Sequence, residues 1–258
     1  MSNGNLLITL RPSSGVDLGR WVLQHHKVAY TERPHSPIFH VLALKRWGVG
    51  SEDYPLFVTA KGCKLKGNPD ILYFVEKDLH PADRLIPDAG AEPDLNREVT
   101  EFTNWLYDTV SGDVVKYSYF HLLKYKGTVW PSLTTGVPWY EKLVWFLAFP
   151  LLRALMYRGL KLDKSVADAA LADIYKTFDR IDAMLADGRE YLSGGRLTYS
   201  DISVAALYGP MILAQGYQGF LPNQAGCPAF LTGVYQRLRQ RPTGLFIQRI
   251  YDRHRPPV

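Results

Sequence analysis

Pro12-Ser13-Ser14-Gly15 places two adjacent hydroxyls between a short apolar run, residues 5–10, and a stretch of helical spacing, residues 17–26. Serines at such a junction have two uses. They cap the helix by accepting from the amides of its first turn, or they donate to an anion drawn to its positive end. A second helix start is Asn68-Pro69-Asp70, where Pro69 suits the first helical position and Asn68 the N-cap. A third is Thr198-Tyr199-Ser200-Asp201, a Thr-x-x-Asp capping box. His25 and His26 fall together near the end of the first helix with no third ligand at a recognised spacing, so no metal is expected. Gly194-Gly195 lacks the preceding strand that a phosphate loop needs.

The elements that must position these groups change character along the chain. Residues 5–10 read as a strand, 17–26 as a helix, 27–32 as an alternating second strand and 38–47 as a second helix. Two further strands, 56–59 and 63–66, meet at Lys61-Gly62, and a helix opens at Asn68. The order is βαβαββα. Residues 79–94 contain Pro81, Pro87 and Pro93 without periodicity and read as a linker. Beyond it only helices are expected: one or two over 95–126, bent near Gly112, then 139–159, 166–186, one after Thr198, and more between Pro228 and Arg253. Leu171, Ile174, Phe178, Ile181 and Leu185 alternate spacings of three and four, the stripe of a buried helix face. The fold class is therefore α/β plus all-α.

With 258 residues, 47% hydrophobic and 21% charged, the chain can bury a sizeable core, which excludes disorder and small stapled scaffolds. Two cysteines, Cys63 and Cys227, give no disulfide framework and suit a reducing cytosol. The net charge of +5 is small for the length. Arg237, Arg239, Arg241, Arg249, Arg253 and Arg255 are interleaved with apolar residues, as on the wet face of packed helices, and no nucleic-acid partner is expected. The apolar run 143–152, broken by Pro150, falls short of the roughly 20 residues of a membrane span. A buried core helix is its expected use, and membrane contact is not.

The order of elements, a βαβαββα unit, a linker and an all-helical unit, resembles the soluble glutathione transferase superfamily, whose first domain is thioredoxin-like. Four stretches carry the resemblance. Pro12-Ser13-Ser14-Gly15 is similar to the serine-bearing loop of the delta, theta and zeta classes. Tyr54-Pro55 stands at the family's cis-proline. Gly67-Asn68-Pro69-Asp70-Ile71 resembles its strand-to-helix turn, with Gly67 and Asn68 in the places of the usual glutamate and serine. The stretch from Tyr191 to Ile202, with the Thr198–Asp201 box, resembles the family's interior helix start most closely.

That resemblance implies residues 1–78 as a glutathione-binding domain, 79–94 as linker and 95–258 as an all-helical domain. It implies conjugation of reduced glutathione to a small apolar electrophile, in the cytoplasm, by a homodimer. Ser13, with Ser14 as second candidate, would hold the thiol as a thiolate. The Tyr54 backbone, shaped by Pro55, would pair with the cysteinyl portion. Asn68 would hold the γ-glutamyl carboxylate and Asp70 the amino group, while Gly67 removes the family's usual side chain. Dehalogenation, isomerisation, or a binding module without catalysis are the alternatives. Tyr107, Tyr117, Tyr119 and Tyr125 in the long helices line an electrophile pocket between the domains or pack in the core, and core packing is the expectation for each.

Overall fold

Leu6, Leu7 and Ile8 alternate sides because successive strand side chains point to opposite faces, and each side finds its own apolar layer. Their strand, β1 (Leu6–Leu10), pairs in parallel with β2 (Thr31–His35) and antiparallel with β3 (Leu56–Val58). β3 in turn pairs antiparallel with β4 (Lys64–Lys66), giving the order β2-β1-β3-β4. This computed structural model describes residues 4–110 and 112–256. Helices α1 (Ser14–His25), α2 (Phe39–Arg46) and α3 (Gly67–Glu76) complete the βαβαββα unit. Leu6, Ile8, Leu56 and Val58 pack with Leu44 of α2. Leu7 and Phe57 join Leu18, Trp21 and Ile71 of α1 and α3 in a larger core that runs on into the helices.

Those helices are α4 (Pro93–Val110), α5 (Asp113–Leu122), α6 (Lys126–Thr134), α7 (Trp139–Gly159), α8 (Lys164–Leu185), α9 (Tyr199–Ile212), α10 (Ala229–Arg239) and α11 (Pro242–His254). α9 is buried almost all round and packs against α1, α4, α10 and α11. Its capping box forms. The Asp201 carboxylate accepts from Thr198 N at 2.7 Å, Thr198 Oγ1 at 2.9 Å and Leu192 N at 2.7 Å. Burial raises this carboxyl to about 6.

Several expectations are corrected. β2 begins at Thr31 rather than residue 27, because Val28 N bonds Leu23 O and Lys27 takes a positive φ in a tight turn after α1. The strand instead runs through Pro34, which an edge strand tolerates. Asn68 is not the N-cap of α3: Gly67 is the first helical residue and Lys66 precedes it without a side-chain cap. α6 lies where no helix was expected, with Pro131 inside it. α4 begins at Pro93, inside the expected linker, and Gly112 stands at the N-cap of α5. The C-terminal arginines are not all on a wet face, since Arg255 is buried against Asp17 and Arg241 pairs with Asp179 and Asp182. The run 143–152 is not core either: Leu143, Val144, Phe146, Leu147 and Leu151 are exposed, and only Trp145, Phe149 and Leu152 are buried.

Candidate functional site

α1 starts where β1 ends, so its N-terminus opens at the edge of the sheet. Ser13 is the N-cap: its N–H bonds Leu10 O at 3.1 Å and its Oγ accepts from Val16 N at 3.3 Å. The hydroxyl proton of Ser13 is left for another acceptor. Ser14 follows as the first helical residue, and the amides of Ser14 and Gly15 are orphan donors of the first turn. The aspartate of that turn, Asp17, does not neutralise them. It is fully buried on the other side of α1, accepting from Tyr251 Oη at 2.9 Å, Arg255 Nη2 at 2.8 Å and Gln218 N at 3.2 Å.

Both serine side chains line a cavity of about 460 Å³ between the sheet unit and the helices, a size that suits a small ligand. The cis peptide Tyr54-Pro55 lies beside them, and Tyr54 lines the same cavity. Neither the N–H nor the C=O of Tyr54 is bonded to another described residue. Pro55 is held by α1. A Cβ on Gly19 would come within 2.8 Å of the Pro55 ring, so only glycine allows this approach. The far wall is apolar, with Val114, Leu122, Val129, Leu155, Met156 and Leu221.

The second helix start has a different shape. Asn68 is buried between α1 and α3, its Nδ2 donating to Gly15 O at 2.8 Å, and it does not line the cavity. Asp70 accepts from Lys66 N at 2.9 Å. Gly67 has φ +72°, a left-handed conformation that favours glycine, and its N–H bonds Pro55 O at 3.0 Å. Of the residues expected to form the site, Ser13, Ser14 and Tyr54 therefore converge with Pro55 behind them. The turn 67–70 stands apart, with Asn68 Nδ2 and one Asp70 oxygen bonded to the chain and Asn68 Oδ1 without a partner among the described residues.

Of the other wall residues, His40, Ile38 and Tyr217 were not singled out from the sequence. His40 stacks edge-on against Tyr54 with ring centroids 5.4 Å apart. Burial lowers its pKa, which favours the neutral ring, and its Nδ1 has no partner among the described residues. Ile38, before α2, has φ 74°, a strained conformation for a β-branched residue, and it turns the loop into the cavity. Tyr119 lines the cavity where core packing was expected, and burial pushes its hydroxyl well above the ordinary tyrosine range. Tyr217 does the same from the other side, its hydroxyl pointing to Pro12 O at 3.5 Å. Both phenols therefore remain protonated donors. A resemblance at helix starts carries no signal for these residues, because they come from separate elements. Tyr107 instead bonds Tyr199, 2.9 Å between hydroxyls, and Tyr125 is exposed.

Residues 164–245 match the family model of the glutathione S-transferase C-terminal domain. No curated protein sequence matches the chain. Solved structures similar to the whole chain include a possible glutathione S-transferase from Rhodopseudomonas palustris, 17% identical, covering 97% of this chain and 94% of that one, with a TM-score of 0.56. The β-etherase LigF from Sphingobium sp. strain SYK-6 is 16% identical over 95% of this chain and 98% of its own, TM-score 0.57. A glutathione S-transferase from Methylobacterium radiotolerans, in complex with glutathione sulfonate, is 14% identical over 98% and 95%, TM-score 0.53. The thioredoxin-like unit followed by the helical domain is the fold these proteins share. Residues 164–245 therefore match the glutathione S-transferase C-terminal domain, and the whole chain has the fold of these glutathione S-transferase-like structures.

Proposed function

We propose that the protein is a glutathione-dependent transferase that activates the glutathione thiol at the start of α1 and delivers it to a small apolar electrophile. The observation that carries this reading is the convergence of Ser13, Ser14 and the unbonded Tyr54 backbone on one cavity with an apolar far wall. A free thiol has a pKa of about 8.5, so most of it is protonated at neutral pH. The Ser13 hydroxyl, polarised by the amide it accepts from, and the positive end of α1 favour the anion. Val114, Leu122, Val129 and Met156 offer the electrophile an apolar surface, and Tyr119 can donate to a leaving or polarised oxygen.

In this reading residues 1–78 bind glutathione, 79–94 link, and 95–258 supply the electrophile wall. A cytoplasmic homodimer is part of the proposal. Its observation is the exposure of Tyr73 and Phe74 on α3. Dehalogenation or isomerisation by the same thiolate is a variant of this proposal.

A second reading, a binding module that no longer takes glutathione, is favoured by the turn 67–70. Gly67 has no side chain, and Asn68 and Asp70 are engaged with Gly15 and Lys66. The γ-glutamyl end would then meet neither the family's usual glutamate side chain nor a free Asn68 amide N–H. Thermal unfolding with added glutathione separates the two readings. Ten times the dissociation constant stabilises the fold by about 1.4 kcal/mol, a rise in midpoint of roughly 2–4 °C. A rise at millimolar glutathione is expected; no change would leave the module reading standing.

A further inference from the structure

Helix α7 turns its apolar side outward. Glu141, Trp145, Phe149, Leu152 and Met156, spaced by four, four, three and four, are its buried stripe and seat it on the protein. Opposite them Trp139, Phe146, Leu147 and Leu151 are 74%, 62%, 71% and 61% exposed, with Leu143 and Leu155 about half exposed. A contiguous apolar surface of this kind marks an interaction site. The helix is fixed in this attitude at two points. At its start, the Glu141 carboxylate accepts from Ser36 N and Ser36 Oγ, both at 2.8 Å, and meets His35 Nδ1 at 2.6 Å. At its middle, Pro150 has no N–H to give the Phe146 carbonyl, which instead accepts from Lys126 Nζ at 3.3 Å beside the kink at Ala148.

The charges on this outward face have one sign. Lys142 and Arg158 are exposed on α7 and Lys161 just beyond it, whereas Glu141, the only acid of the helix, is buried. Pairing two copies of the face would bring these cations together. An acidic lipid surface supplies both what the apolar side chains and what the cations need. No single helix of the described chain is long and apolar enough to cross a membrane. A helix with an apolar face, aromatic residues and flanking cations lies in the plane of the interface instead.

We propose that α7 docks the protein on an anionic bilayer, with Trp139, Phe146, Leu147 and Leu151 inserted among the lipids and Lys142, Arg158 and Lys161 at the headgroups. The same helix reaches the candidate site. Leu155 and Leu160 are exposed on its outer end and also line the cavity with Met156, so an apolar compound dissolved in the bilayer meets the cavity at the docked face. The docking stands independently of the glutathione reading, because it needs no ligand.

Vesicle flotation without glutathione tests it. Wild type should float with vesicles of phosphatidylcholine and phosphatidylserine, bind more weakly to phosphatidylcholine alone, and come off at high salt. Phe146→Ser with Leu147→Ser should weaken binding tenfold or more, and Lys142→Gln or Arg158→Gln about fivefold each. An unchanged thermal midpoint in these variants shows that the fold is intact. Wild type that never floats with the anionic vesicles, or a serine double variant that floats equally well, would overturn the proposal. So would a lipid-free dimer that the double variant splits, which would assign the face to a second copy of the chain.

Discussion

Helices α1 and α9 both start on a hydroxyl residue with an aspartate within the next turn, Ser13 with Asp17 and Thr198 with Asp201. In α9 the carboxylate folds back on its own helix start and satisfies two amides and a hydroxyl in the core. In α1 it is drawn away by Arg255 and Tyr251, and the helix start stays open to the cavity. Spacing alone does not decide between the two. Asp70 follows Lys66 at the same interval as Asp17 follows Ser13, yet it returns to the Lys66 amide. What decides is the partner offered elsewhere: the Arg255 guanidinium, just past α11, holds Asp17 back, and the start of α1 is left open.

Removing that partner is expected to have the largest effect on the contrast. Arg255→Met takes from buried Asp17 its hydrogen-bonded cation, leaving Arg20 at 3.9 Å as the remaining one, which costs up to about 3 kcal/mol and strengthens the repulsion of an anion at α1. Urea denaturation should show the loss of stability, and glutathione binding should weaken with it. Loss of stability with unchanged binding would mean that Asp17 does not govern the α1 site.

Closing groups at the other two starts should matter for stability alone. Asp201→Ala leaves the Leu192 and Thr198 amides without an acceptor in the core, at a cost of about 3 kcal/mol by urea denaturation. The same carboxyl gives a pH signature. Its folded pKa of about 6 lies above its ordinary value near 4, so the folded state keeps the proton longer than the unfolded chain does. The stability contributed by this group is therefore full below pH about 4 and falls as pH rises towards about 6. Asp201→Asn should remove that component of the slope. A smaller effect is expected at α3: Asn68→Ala loses the bond to Gly15 O, about 1 kcal/mol of stability, and should change glutathione affinity by less than about threefold. A tenfold loss of affinity without loss of stability would return Asn68 to the ligand.

The three helix starts also mark how far the sequence could be read. The Thr198–Asp201 box is local, so its residue types and spacing specify its bonds, and the α8 stripe of Ile174, Phe178 and Ile181 is buried as its period requires. Ser13 as the N-cap was equally legible. Asn68 was not, because its environment is made by Gly15, fifty-three positions away. Tyr119, His40 and Ile38 meet in the cavity only through the packing of separate elements. β2 was misplaced because residues 27–32 alternate as a strand does, and only the sheet order puts Pro34 at an edge where a strand can carry it. The run 143–152 shows the same limit in reverse. It is more uniformly apolar than α9, yet nothing local told that α9 would be enclosed by its own chain while Phe146 and Leu147 would be left outside.

The open start of α1 is tested most directly by an ultraviolet titration of the glutathione thiolate in the presence of the protein. A charge-assisted hydrogen bond is worth about 1.5–3 kcal/mol, and one pKa unit about 1.36 kcal/mol. Ser13→Ala should therefore raise the apparent pKa of bound glutathione by roughly one to two units, with the fold intact and Ser14→Ala close to wild type. A shift in Ser14→Ala alone would transfer the role to Ser14. Identical curves for wild type and both variants would contradict the claim that a serine hydroxyl at this helix start stabilises the thiolate.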